Sequence, residues 1–146
     1  MRKISYFLAV ALGIFLLLSL IGVSQIWDGW TDEFSKNYEY ASEQSAVFGK
    51  GNLVDVPPYV DLYKADKSFV LVRQNPHYYI DSMYDYNEGY EYKNGMHVNY
   101  FWIINLKSDC VYGPLDFDEF NLQCKLQNVD INLYRKFIES CNENKK

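Results

Sequence analysis

Twenty consecutive residues without a charge, ISYFLAVALGIFLLLSLIGV from Ile4 to Val23, constrain this chain more than any other feature. At ~1.5 Å rise per residue a helix of that length matches the roughly 30 Å hydrocarbon core of a bilayer. A signal-peptide core is usually shorter, ~7–15 residues. Arg2 and Lys3 precede the run, and Asp28, Asp32 and Glu33 are the first charges after it. That asymmetry predicts a single pass through a cell membrane with the N-terminus cytoplasmic and the remainder extracytoplasmic. Trp27 and Trp30 stand where an interfacial aromatic belt belongs. Small Gly22 and Ser24 leave one alternative, cleavage near Ser24 and a secreted or periplasmic product. The expected organisation is an anchor or signal segment over 1–24, a juxtamembrane linker over 25–36 and an extracytoplasmic domain over 37–146.

About 120 residues follow Ser24, enough for one domain with a core of its own. They carry a net charge of −7, against −5 for the whole 146-residue chain. An acidic surface without a Lys/Arg cluster repels phosphate backbones, so nucleic acid is excluded as a partner. Cys110, Cys124 and Cys141 show no metal-ligand or redox spacing; burial as small hydrophobes is the expectation for them, with one disulfide plus one thiol as the alternative in an oxidising space.

Aromatic residues make up 18% of the chain, 14 of them Tyr, a composition suited to pleated surfaces. Residues 37–49 alternate weakly. Tyr59–Tyr63 reads as a strand, Lys64–Lys67 as a turn, and Phe69–Val72 as a buried strand ended by Asn75-Pro76. Pro57-Pro58 belong at a strand edge or start, having no N–H to give. Tyr100–Leu106 is the strongest strand former. Lys107–Asp109 turns it into Cys110–Tyr112, with Gly113-Pro114 expected to stop the pairing. Asp116 and Glu119 predict a reciprocal cap on a helix from Phe117 to Gln127, with Phe117, Phe120 and Cys124 on one face and Leu122 and Leu126 alongside. Asp130 predicts a cap on a second helix with the stripe Leu133, Tyr134, Phe137, Ile138 and Cys141. The predicted class is α+β: an N-terminal transmembrane helix, then a small antiparallel sheet with one or two C-terminal helices packed on it.

Two stretches taken together, Asp66…Phe69-Val70-Leu71-Val72-Arg73-Gln74 and Tyr100-Phe101-Trp102-Ile103-Ile104…Val111-Tyr112-Gly113-Pro114-Leu115…Glu119-Phe120, resemble a family of short bacterial envelope proteins of unknown function. Many members of that family look like lipoproteins. The resemblance covers about half of the exported domain, implies a small exported bacterial domain, and brings no catalytic residues. Leu20-Ile21-Gly22 also reads like the end of a lipoprotein signal. Val23, where the lipidated cysteine would stand, departs from that pattern and has no thiol to alkylate.

No constellation names a reaction, and the expectation is no catalytic residue, no metal and no cofactor. His77 and His97 bracket a long polar stretch without ligand spacing and read as solvated loop residues, although Asp81, Asp85 or Glu88 could join them in a metal or acid–base site. A Cys–His pair, Cys110 or Cys124 with His97, needs a thiolate-stabilising setting that a strand start and a core helix face do not offer. Gly49-Lys50-Gly51 lacks the rest of a phosphate loop and reads as a turn. Asp116, Asp118 and Glu119 need only the helix dipole to explain them, since the twelve-residue calcium loop is absent.

Residues 77–99 hold six Tyr and a hairpin signal at Asn94-Gly95. Tyr84/Tyr86 and Tyr90/Tyr92 are each spaced by two, so each pair shares one side of a strand. Either they form a partner-binding surface, where Tyr gives contact area at low entropic cost, or they stabilise their own hairpin. The functional expectation is a membrane-anchored, non-enzymatic envelope module that binds a protein, with immunity-type neutralisation as one form. The alternatives are an envelope hydrolase with an Asp/Glu/His site, or a structural subunit of a membrane assembly.

Overall fold

The runs FVLV and YFWII put apolar residues on both alternating faces of their strands, so both faces need cover. A computed structural model, which describes residues 30–77 and 90–143, supplies a layer for each face. The chain order is β1 Thr31–Glu33, β2 Tyr38–Ala41, β3 Ala46–Gly49, β4 Val60–Ala65, β5 Phe69–Gln74, β6 Tyr100–Asn105, β7 Cys110–Leu115, α1 Phe117–Leu126 and α2 Ile131–Glu143. Strands β4-β5-β6-β7 form a four-stranded antiparallel meander, and β1-β2-β3 a second, three-stranded antiparallel sheet.

Val70, Val72, Trp102 and Ile104 project to one side of the larger sheet and pack with Tyr38, Tyr40 and Val47 of the smaller one. Phe69, Leu71, Phe101 and Ile103 project to the other side and pack with Phe120 and Cys124 of α1 and Leu133, Phe137 and Cys141 of α2. The result is three layers, sheet on sheet on helices, with the larger sheet in the middle. The α+β class, the antiparallel meander and the C-terminal helices agree with the sequence; the second sheet is additional. Its strands have only three or four residues, too short for alternation to declare itself. Among the described residues no helix is long and apolar enough to cross a membrane; Ile4–Val23 lie outside them.

Several local expectations change. Thr31–Glu33, taken as part of the 25–36 linker, pairs with Glu39–Ala41 as an exposed edge strand. Gly113-Pro114 do not stop the pairing: the register shifts opposite Trp102 and resumes at Phe101↔Leu115. Gly113 sits at φ 152°, where a Cβ would lie 2.4 Å from the Trp102 ring, so only glycine lets the bulge close over that indole. Lys64 and Ala65 belong to β4, and the turn begins at Asp66, whose carboxylate accepts from the Ser68 and Phe69 amides. Asn94-Gly95 turns the chain, with the Gly95 amide donating to the Tyr92 carbonyl, but no strand flanks it.

The helices start where their caps predict. Asp116 accepts from the Glu119 amide at 2.8 Å while Glu119 accepts from the Asp116 amide at 3.2 Å. Asp130 accepts from the amides of Asn132 and Leu133. Leu133, Phe137 and Cys141 repeat every four residues on the buried stripe of α2. Leu122 and Leu126 of α1 point away from the sheet and are exposed.

Candidate functional site

At one end of the central sheet, where β5 leaves and β6 enters, several polar residues meet around a cleft of about 420 Å³. Ser45 comes from the β2–β3 turn, Tyr59 and Asp61 from the start of β4, and Asn75 and His77 from the segment after β5. The backbone holds them together: the Val60 amide donates to the Ser45 carbonyl at 2.8 Å and the Asn75 amide to the Tyr59 carbonyl at 3.0 Å. Pro57 and Pro58 are buried just ahead of β4, as their missing N–H requires.

The cleft is conformationally expensive. Ser45 and Tyr59 both have left-handed backbones, φ 48° and 76°, as does the adjoining His97 at 64°. For a bulky side chain such as Tyr59 that is a true outlier. Asn75 donates through Nδ2 to Asn99 Oδ1 at 3.0 Å, but its own Oδ1 is buried with no donor. A buried acceptor left unsatisfied costs about 1–3 kcal/mol, and such costs gather where a binding surface needs them.

Asp61 stands at a register shift of β4, opposite no residue of β5, and so turns aside to accept from Arg73 Nε at 2.9 Å. Burial works against the charge on Arg73, which is 5% exposed, but the hydrogen bond and charge of Asp61 outweigh it and hold the guanidinium above its ordinary value. Arg73 Nη1 also donates to the Cys141 carbonyl in the last turn of α2 at 3.2 Å, where a cation suits the dipole.

The histidines, expected as solvated loop residues, both lie in loops, with His97 exposed, and they lie together. Their rings are 4.5 Å apart, and Tyr59 packs edge-on to His77 at 4.7 Å. The His97 amide donates to the Pro76 carbonyl at 2.8 Å, which closes the long excursion between them. Asp81, Asp85 and Glu88 lie outside the described residues, and among those described no three His, Cys, Asp or Glu gather as metal ligands. Neither Cys–His pairing forms around a shared site. Cys110 opens β7 across from Asn105, at the opposite end of β6 from His97, and Cys124 lies in the helix-side core. Burial pushes the Cys124 thiol up to about 12. Cys110 is exposed, against the burial expected of it, and none of the three cysteines is in a disulfide.

Of the four tyrosines, Tyr84 and Tyr86 lie outside the described residues. Tyr90 and Tyr92 are half-buried and face inward rather than sharing a strand side. Tyr90 packs edge-on to Trp102 at 5.1 Å and donates to the Asp55 carbonyl at 2.9 Å. Tyr92 meets Gln74, a fully buried amide whose Oε1 accepts from Trp102 Nε1 at 2.8 Å and whose Nε2 donates to the carbonyls of Pro57 and Pro58. Burial, with the nearby tyrosines, moves the Tyr92 hydroxyl up to about 12.

Tyr59, Asp61 and Asn75 read in the sequence as strand and strand-end residues. Only Pro58 before Tyr59 and Pro76 after Asn75 signalled that these were places where ladder geometry fails.

No curated protein and no solved structure matches the chain. One family does, described as a protein of unknown function (DUF3997), over residues 35–138, a range that spans both sheets from β2 onward, all of α1 and the first part of α2. The chain belongs to the DUF3997 family.

Proposed function

We propose that this protein is a membrane-anchored binding module of the bacterial envelope, with residues 4–23 as the anchor and the layered domain outside the cytoplasm binding a protein partner without turnover. The observation that carries the binding assignment is the cost concentrated in one cleft, where left-handed Ser45 and Tyr59 adjoin the unsatisfied Asn75 carbonyl. A partner that brings an N–H or O–H donor recovers part of that cost. Binding without chemistry is supported by the commitments of the reactive groups: the Ser45 hydroxyl donates to the Ser42 carbonyl and Asp61 is held by Arg73. The anchor is supported by the twenty uncharged residues and the charge asymmetry around them. Neutralisation of a toxin, as an immunity protein does, is one form of such binding and fits the small size and acidic charge.

A photo-crosslinking residue placed at His77 in the full chain, in its own membranes, tests this reading. A discrete adduct at 77, absent when the same residue replaces Lys107 at the far end of β6, is the expected result. Identical patterns at the two positions would remove the cleft as the site of recognition. One observation favours the hydrolase alternative, since Asp61 and His77 line the same cleft. That reading requires Asp61→Asn to abolish hydrolysis of an envelope substrate in which the native protein is active.

A further inference from the structure

On the helix side of the central sheet, beyond the Asp61–Arg73 pair, a second cavity of about 420 Å³ opens between the end of β5, the start of β6 and the two helices. Arg73 lies at its base, Phe101, Phe117 and Ile138 form its apolar wall, and Asn99 and Asn142 contribute amides. Protein interiors rarely leave a space of this size beside a side chain that is 5% exposed.

The guanidinium carries five N–H donors. One goes to Asp61, one to the Cys141 carbonyl, and the Cys141 thiol engages at most one more. At least two remain, and Arg73 lines the cavity. Guanidinium N–H groups make charge-assisted hydrogen bonds to a carboxylate. Asp61, 43% exposed, engages the guanidinium through Nε alone. The Phe101 and Phe117 rings, 5.5 Å apart, extend the site outward, and Phe117 is left 46% exposed at the mouth. Exposed aromatic area beside a desolvated cation suits a ligand with one charged end and an apolar body.

We infer that this cavity binds a carboxylate carried on an apolar arm, the end of a peptide chain or a short acyl acid, with Arg73 taking the carboxylate and Phe117 covering the arm. The site is separate from the Tyr59–Asn75 cleft, and its assignment does not depend on what that cleft recognises.

Full-length protein in nanodiscs, titrated calorimetrically against empty nanodiscs as the blank, tests the inference with three probes: N-acetylphenylalanine, its neutral carboxamide, and hexanoate. Saturable binding of at least one acid, at least about tenfold tighter than the carboxamide, is the expected result. Tighter binding of N-acetylphenylalanine assigns the site to a peptide end, and tighter binding of hexanoate to an acyl acid. Asn142→Asp and Phe117→Ser change exposed or half-exposed residues and leave the core intact. Each should weaken the acid at least about fivefold, the first by like-charge repulsion and the second by lost apolar contact. Arg73→Lys, which keeps the charge and loses the fork, should weaken it as well. Equal affinity for acid and carboxamide, absence of binding by both acids, or insensitivity to both Asn142→Asp and Phe117→Ser would overturn it.

Discussion

Trp102 is the residue on which most single-site arguments converge: fully buried, overlain by Gly113, met edge-on by Tyr90, and hydrogen-bonded to Gln74. Replacing Gln74 by Leu strands the buried indole N–H and takes the amide donor from the Pro57 and Pro58 carbonyls. It should cost about 1–3 kcal/mol in urea unfolding, with the slope unchanged. Gly113→Ala drives a methyl into the indole ring from a backbone region that L-residues avoid, and should cost a comparable ~1–3 kcal/mol by the same measurement. The buried hydroxyl and thiol also set an alkaline limit. Tyr92 and Cys124 have folded values raised to about 12, so the neutral forms belong to the fold. Their contribution is complete below the unfolded values, ~8.5 for the thiol and ~10 for the phenol, and is lost as pH rises through the folded values. The urea midpoint should therefore hold steady to about pH 8.5 and fall above it. In the native protein at pH 8, Cys110 should react with maleimide while Cys124 reacts only after unfolding.

Each helix is held by a short polar device that was legible in the sequence, because capping depends on residue identity at fixed offsets rather than on tertiary context. Asp130→Ala and Asp116→Ala should each cost about 1 kcal/mol in thermal or urea unfolding. Glu119 does more than its cap requires. Lys93, from the turn after Tyr92, pairs with it across 26 positions and, together with the Asp116 amide, holds its pKa below the ordinary glutamate value. A lowered folded value places the contribution of Glu119 above pH ~4.3 and removes it as pH falls through the folded value. Lys93→Met should make acid unfolding of the helices less steep in that range, as followed by circular dichroism. What the sequence did not disclose at this scale has a physical cause. Leu122 and Leu126 matched a helical stripe, but the face of α1 that meets the sheet is set by Phe120 and Cys124, and an apolar residue outside that face simply stays in water. Gly113-Pro114 signalled a break, and the break is a bulge because β6 continues beside it.

The whole molecule joins elements far apart in sequence, and local patterns do not encode those contacts. FVLV and YFWII announced buried strands, yet which layer covers each face depends on three- and four-residue strands at 31–49 whose pattern is too short to assert itself. The cleft was hidden for the same reason. Tyr59, Asn75 and His97 are brought together by backbone hydrogen bonds, Asn75 to Tyr59 and His97 to Pro76, between segments distant in sequence, and only the fold makes their cost visible. In the proposed reading the twenty-residue run is the anchor that sets where the domain sits. The proposed function has that run holding residues 31–143 on the outer side of the bilayer, and exposed Cys110 reports the side directly. Spheroplasts expressing the full chain, treated with a membrane-impermeant maleimide, should label Cys110 before any lysis, with the protein staying in the membrane fraction. Labelling only after the spheroplasts are opened would contradict it.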